Sequence, residues 1–317
     1  MLNIFLGNRC NFGCDYCLQP KAPIEPAEPD IQKIIDFIQE NDIRQIGYWG
    51  GEPLLYWDTI TRTHNAFLEA GLSFDEVLMI TNGSLLDQEI VRYVNEHGFY
   101  VVVSEHTRFG QARWSALAAI QKGSINCMIT RKNLLLWEFR EMIRILEQMF
   151  NRPFFLAVGY VRATPDCPDK FYLRPDDVQI HMQHLRELAE LKERGDEFAI
   201  RYFDQQMHRW KGAFEKPWTG QPLCCNKDKL TIDLAGNVFP CHYCVSPERT
   251  IGTLDSYRPG PAVTRHIESA KCQECEAVPW CRGNCYLSMT HEADCLLALE
   301  QHRLFKELND GLPALRP

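Results

Sequence analysis

Short apolar runs rich in β-branched residues recur along the first two hundred positions. They fall at residues 2–7, 44–48, 76–80, 99–104, 125–130 and 154–161, and each reads as a buried strand. Helical patterns lie between or after them. Asp30 is placed to cap a helix in which Ile31, Ile34, Ile35 and Ile38 form one apolar stripe. Further helices fit residues 57–70, 86–97, 113–122 and 134–150. A sixth starts at Pro175-Asp176 and carries Val178, Met182, Leu185, Leu188 and Leu191 to a stop at Gly195. Strands and helices in strict alternation, joined by short loops, predict parallel pairing with right-handed crossovers. Six such units close only part of the eight-fold circle. The expected fold class is therefore α/β, a partial (β/α)6 TIM-type barrel.

Beyond a helix at about 197–212 the texture changes. Glycine, proline and cysteine rise, helical periodicity lapses and the strands shorten. Residues 1–212 are expected to form the barrel, and 213–317 a small domain that needs metal to hold it together. The 45% hydrophobic and 24% charged residues are ordinary for a soluble, well-cored chain. No apolar run is long enough to span a bilayer and no signal-peptide pattern opens the chain, so a cytoplasmic protein without membrane partners is expected. A net charge of −8 offers no footprint for a nucleic-acid backbone.

Cysteine changes the picture. Fourteen cysteines fall in two groups, one at the N-terminus and one between residues 224 and 295, with only Cys127 and Cys167 between. Clustering of this kind, without an export signal, points to metal rather than to disulfides. The first group reads Cys10-x3-Cys14-x2-Cys17, with Tyr16 before the last cysteine, and follows the first strand. Loops at the C-terminal ends of barrel strands are where active sites sit. Three thiolates can ligate three irons of a [4Fe–4S] cube and leave the fourth open. A structural zinc site wants four ligands, and the next histidine is His64. After the second strand comes Tyr48-Trp49-Gly50-Gly51-Glu52-Pro53, whose glycines let backbone approach a ligand closely.

These motifs resemble those of the radical SAM superfamily: the cysteine triad, the GGEP sequence of Gly50, Gly51, Glu52 and Pro53, and the six-unit array. The resemblance implies that the open iron chelates the amino and carboxylate groups of S-adenosyl-L-methionine (SAM). One electron, from a reducing partner of flavodoxin or ferredoxin type, would then yield a 5′-deoxyadenosyl radical that abstracts a substrate hydrogen. It also implies cofactor-binding roles for Tyr16 and the GGEP residues, with Glu52 either partnering the SAM ammonium or shaping the loop. Thr81-Asn82-Gly83 resembles the family's TNG, placing Asn82 in the site. Ser104 could bind the SAM ribose and Arg131 its carboxylate. A β-turn, a capping serine and a surface arginine are the structural alternatives.

The second group, Cys225-x10-Gly236-x4-Cys241, then Cys272-x2-Cys275-x5-Cys281-x3-Cys285, then Cys295, resembles the SPASM extension. The resemblance implies two auxiliary [4Fe–4S] clusters, three clusters in all. Cys272, Cys275, Cys281 and Cys295 would ligate the outer one, and Cys225, Cys241 and Cys285 the inner one. Its fourth ligand is Cys224, the substrate or none; two zinc knuckles are the structural alternative. Cys244 and Cys224 are the catalytic candidates, the former as a thiol hydrogen donor to a substrate radical. Cys127 and Cys167 could also face the barrel, although a buried, inert thiol is the ordinary state. His242 and Tyr243 are open in the same way, and Trp49, Trp57 and Trp280 are expected to be packing residues.

Most SPASM enzymes modify peptides or proteins, so a peptide substrate is expected by family analogy. Only nine residues precede Cys10, which counts against a leader-binding domain ahead of the barrel. The alternative is rearrangement, epimerisation or dehydrogenation of a small molecule or modified nucleoside, a hypermodified nucleic-acid base included. An iron–sulfur electron carrier would need no GGEP motif.

Overall fold

The computed structural model describes residues 1–17, 27–104, 111–161, 169–215, 229–243, 245–258, 270–281 and 292–310. The alternation read from the sequence is present: β1 (Leu2–Phe5), α1 (Ile31–Glu40), β2 (Gln45–Trp49), α2 (Trp57–Glu69), β3 (Glu76–Thr81), α3 (Gln88–Glu96), β4 (Tyr100–Ser104), α4 (Gln111–Ala119), β5 (Gly123–Ile129), α5 (Trp137–Phe150), β6 (Phe155–Tyr160) and α6 (Pro175–Glu193). Then follow α7 (Glu197–Glu215), β7 (Leu230–Asp233), β8 (Asn237–Phe239), β9 (Gly252–Thr253), α8 (Ala270–Gln273), α9 (Val278–Cys281) and α10 (Glu292–Asp310). Local chemistry sets several boundaries. Asp30 accepts from Lys33 N at 3.2 Å and Asp87 from Ile90 N at 2.8 Å, each satisfying a free donor of a first helical turn. Gly195, at φ +87°, takes the left-handed geometry that ends α6.

The strands form one sheet in the order β6-β5-β4-β3-β2-β1-β7-β8-β9. Neighbours from β1 to β5 pair in parallel, as expected of a β/α alternation. The sheet extends past β1. Leu230–Asp233, only four residues long, pairs in parallel with β1, and the antiparallel β8 and β9 follow.

The chain divides into two compact units. The first holds Met1–Cys127, Arg152–Ala157 and Cys225–Pro261; the second holds Met128–Asn151, Val158–Cys224 and Ala262–Pro317. In the first, pleating sorts side chains onto two faces. Tyr48, Met79 and Val101 share one face, and all are fully buried. There Tyr48 stacks on Phe99 and meets His64 of α2 edge-on. Asn3, Gly47, Leu78 and Tyr100 are in register on the other face, and Ser104 lies beside Asn126. Leu78, Ile80, Val102, Ser104 and Asn126 there are only half-buried, whereas Val77, Met79, Val101, Val103 and Ile125 opposite are buried. Cys127 alternates with Asn126 and is buried on the face of Ile125, away from the half-open side, in the ordinary state of a buried thiol.

The second unit is helical. Phe139, Ile143 and Leu146 of α5 are buried, as are Val178, Met182, Leu185 and Leu188 of α6. Trp280 of α9 packs edge-on against Phe305 of α10 at 5.8 Å, a packing role as expected. Arg140 pairs with Asp196, and Arg201 grips Glu147 through both terminal guanidinium nitrogens. Among the described residues no helix is long and apolar enough to cross a membrane.

Candidate active site

The cysteine loop leaves β1 zipped to the loop that leaves β2. Leu6 N donates to Trp49 O at 2.8 Å, Gly51 N to Gly7 O at 2.9 Å and Glu52 N to Arg9 O at 2.9 Å. A Cβ on Gly51 would collide with the carbonyls of Asn8 and Arg9, so this contact admits only glycine. Gly7, at φ +132°, lies under the Tyr56 ring, where a Cβ would stand 2.5 Å from the phenol oxygen. That oxygen accepts from Arg9 N at 2.9 Å, and the Arg9 guanidinium lies 5.1 Å from the ring centre. Tyr56 thus holds the residue that precedes Cys10. It sits in the 3-10 turn Pro53–Tyr56, and no periodicity or motif marks it in the sequence.

Glu52 is fully buried. One oxygen accepts from Leu54 N at 3.0 Å and from the Thr81 hydroxyl at 2.6 Å; the other accepts from Asn82 N at 2.7 Å. Burial pushes its carboxyl above the ordinary range, against three hydrogen bonds that favour the anion. Of the two expected roles, these bonds serve the shaping of the loop. Asn82 then reaches the cysteine loop. Its Nδ2 donates to Asn11 Oδ1 at 2.8 Å and lies 3.9 Å from Cys10 Sγ, and its Oδ1 accepts from Ser84 N at 2.8 Å. Asn11 Nδ2 donates to Ser84 Oγ at 2.7 Å. TNG is therefore a turn and also a tie between β3 and the triad, while Asn11 and Ser84 carried no signal in the sequence.

Cys10 Sγ also accepts from Phe12 N at 3.4 Å. Burial, partly offset by this bond, pushes its thiol up. Cys17 N donates to Cys14 O at 3.0 Å, folding the loop back on itself, and Tyr16 lies within this turn. Soft sulfur donors on one loop, with N–H groups directed at sulfur, suit an iron–sulfur cluster. Among the described residues no three His, Cys, Asp or Glu side chains converge as the ligands of a single ion would.

Ser104 lies on the half-open face at the end of β4, beside Asn126. The Arg131 Nε donates to Asp177 at 2.7 Å, so its guanidinium is already held by the carboxylate that caps α6. Cys241 is buried, and its Sγ accepts from Tyr243 N at 3.4 Å, the same two-residue bond as at Cys10. His242 stacks on Trp49 with centroids 3.8 Å apart, beside Tyr243. Cys272 and Cys275 lie on or just after α8, Cys281 ends α9 and Cys295 is in the first turn of α10. Burial, then the charges of Cys272, Asp294 and Cys275, push the Cys295 thiol up. Cys167, Cys224, Cys225, Cys244 and Cys285 lie outside the described residues.

Comparison with known proteins agrees with this geometry. The family model described as "Radical SAM superfamily" matches residues 4–107, which hold the triad, GGEP and TNG. The "Serine-type anaerobic sulfatase-maturating enzyme" of Klebsiella aerogenes is 22% identical, over 98% of this chain and 85% of its own length. The solved structure of native anSMEcpe with bound AdoMet superposes with a TM-score of 0.68 at 14% identity, over 98% of this chain and 99% of that one. The same protein with bound AdoMet and Kp18Cys peptide gives 0.66 at 15% identity, with the same coverage. The fold is thus the partial barrel of those structures, and the chain carries a radical SAM domain.

Proposed function

We propose that this chain is a SPASM-type radical SAM enzyme that modifies a residue of a peptide or protein. The observation that carries the proposal is the tie of GGEP and TNG to the Cys10 loop, with Glu52 and Asn82 as its knots. Cys10, Cys14 and Cys17 hold the SAM-binding cluster. Cys272, Cys275, Cys281 and Cys295 hold the outer auxiliary cluster, and Cys225, Cys241 and Cys285 the inner one. When bound, the first cluster and SAM supply a 5′-deoxyadenosyl radical on delivery of one electron by a flavodoxin- or ferredoxin-type partner. The chain's own contribution is placement. Gly50 and Gly51 present backbone to the SAM ammonium, and Ser104 meets the ribose from the end of β4. Arg131 is held by Asp177 in readiness for a carboxylate. Cys224 and Cys244 remain the candidates for handling the substrate radical.

The peptide assignment rests on likeness along nearly the whole chain to a sulfatase-maturating enzyme and to a structure holding a peptide. Anaerobic reconstitution should load about twelve irons, three cubes' worth. Reductant and SAM should release 5′-deoxyadenosine. Short peptides carrying serine or cysteine should raise that release and gain an oxidised residue detectable by mass spectrometry. No release of 5′-deoxyadenosine would sink the enzymatic reading; release that no peptide stimulates would sink the peptide one.

A further inference from the structure

Two buried polar atoms of the first unit have no hydrogen-bond partner among the described residues and lie on the same side of Gly47. Asn3 is 4% exposed, and its Nδ2 lies 3.5 Å from Thr231 Oγ1, which leaves Oδ1 as an acceptor without a donor. The indole Nε1 of Trp49, which can only donate, is buried and also unbonded. Between them lies Gly47, in register with Asn3. A Cβ at Gly47 would stand 2.8 Å from Trp49 Nε1 and 3.1 Å from Asn3 Oδ1. Glycine therefore leaves no side-chain atom between one free donor and one free acceptor, and an occupant bonded to both must lie farther from the Gly47 Cα than a Cβ would.

Neither side chain is free to turn away. The Asn3 amide is engaged by Thr231, and the Trp49 ring is stacked on His242 at 3.8 Å. The Trp49 backbone is held as well, since its carbonyl accepts from Leu6 N. Buried donors and acceptors are nearly always satisfied, by protein or by ordered water. The geometry points to a single resident water above Gly47 that accepts from Trp49 Nε1 and donates to Asn3 Oδ1. One oxygen carrying hydrogen satisfies both atoms at once. Because both are closed off from solvent, the occupant is a structural water rather than an exchanging ligand.

The consequence concerns Trp49, the residue before Gly50-Gly51. Through the water, Asn3 is a positioning residue for the indole and so for the two-glycine loop. This step rests on the reading that the loop receives SAM.

A high-resolution crystal structure of the anaerobically reconstituted chain should show one water within hydrogen-bonding distance of both atoms. Direct bonding of Nε1 to Oδ1, or a dry contact, overturns the site. Asn3→Leu removes the acceptor, and Gly47→Ala pushes a methyl group between the two polar atoms. Each should lose the water and weaken SAM binding about tenfold by equilibrium dialysis. Asn3→Asp keeps an oxygen in place and should retain both water and affinity. Unchanged affinity in a variant that has lost the water overturns the positioning role. Failure of the unaltered chain to bind SAM overturns the loop's assignment and that role with it, while the water, read from density, stands.

Discussion

The Thr81 hydroxyl donates to Glu52 Oε1 at 2.6 Å, joining the end of β3 to the loop that follows β2. The carboxylate takes two further donors, from Leu54 N and Asn82 N. A glutamine here offers one acceptor oxygen and turns its amino group toward an N–H or O–H that also donates. Glu52→Gln should therefore cost about 1–3 kcal/mol, and Glu52→Ala more, because three buried donors lose their partner. Thermal melting reads the stability, and SAM binding should weaken at least about tenfold in either variant. Full SAM affinity in Glu52→Ala would show that the loop keeps its shape without the carboxylate.

Gly51→Ala tests the zipper between the two loops. Its methyl group must displace the Asn8 and Arg9 carbonyls, and with them the chain entering Cys10. The N-terminal cluster should fail to load while the auxiliary ones remain, so iron falls from about twelve to about eight per chain. Loss of all the iron would mean instead that the chain no longer folds.

Tyr56→Phe keeps the ring against Gly7 and removes the acceptor for Arg9 N. The expected cost is about 1 kcal/mol of stability, because a part-buried N–H loses its partner. In a time course with a chelator, the N-terminal cluster should be lost faster than in the unaltered chain. Gly7→Ala, which drives a Cβ into the same phenol, should be more severe.

Two buried histidines make the fold sensitive to acid. Burial lowers His64 from 6.5 to about 4, helped by the charge of His97. Burial, with His181 adding to it, does the same for His184. His184 Nε2 accepts from Leu136 N at 2.9 Å, a bond that protonation breaks. Both folded values lie below the unfolded one, so the unfolded chain binds more protons between them. The stabilisation is complete above 6.5 and is lost as pH falls through about 4. Each residue accounts for on the order of 3 kcal/mol. Denaturant titrations on the two sides of this window should show the loss, with a smaller drop in His64→Phe. An equal drop in that variant would mean that His64 is not the group that titrates.

Much of the site was legible because its signals are contiguous. The C-x3-C-x2-C spacing, the Gly-Gly-Glu-Pro turn and the apolar stripe below Asp30 depend on neighbouring residues, and local geometry makes them readable. Glu52 was readable as a member of the site but not in its task. Its partners Thr81 and Asn82 lie 29 and 30 residues away and are set by how β2 and β3 align. Tyr56 was invisible because its bond to Arg9 crosses 47 residues and leaves no periodic trace.

The sequence by itself determined the alternation of strand and helix, the placing of the cysteines and the kind of chemistry they suit, since each follows from spacing and local preference. Only the tertiary structure decided which partners Glu52 takes, which face Cys127 occupies and that Leu230–Asp233 joins the sheet beside β1. The physical reason is the same in each case. A strand's faces alternate with every residue, and its neighbours are chosen by the burial of the whole sheet. Four residues contain too little information to name a partner more than two hundred positions away.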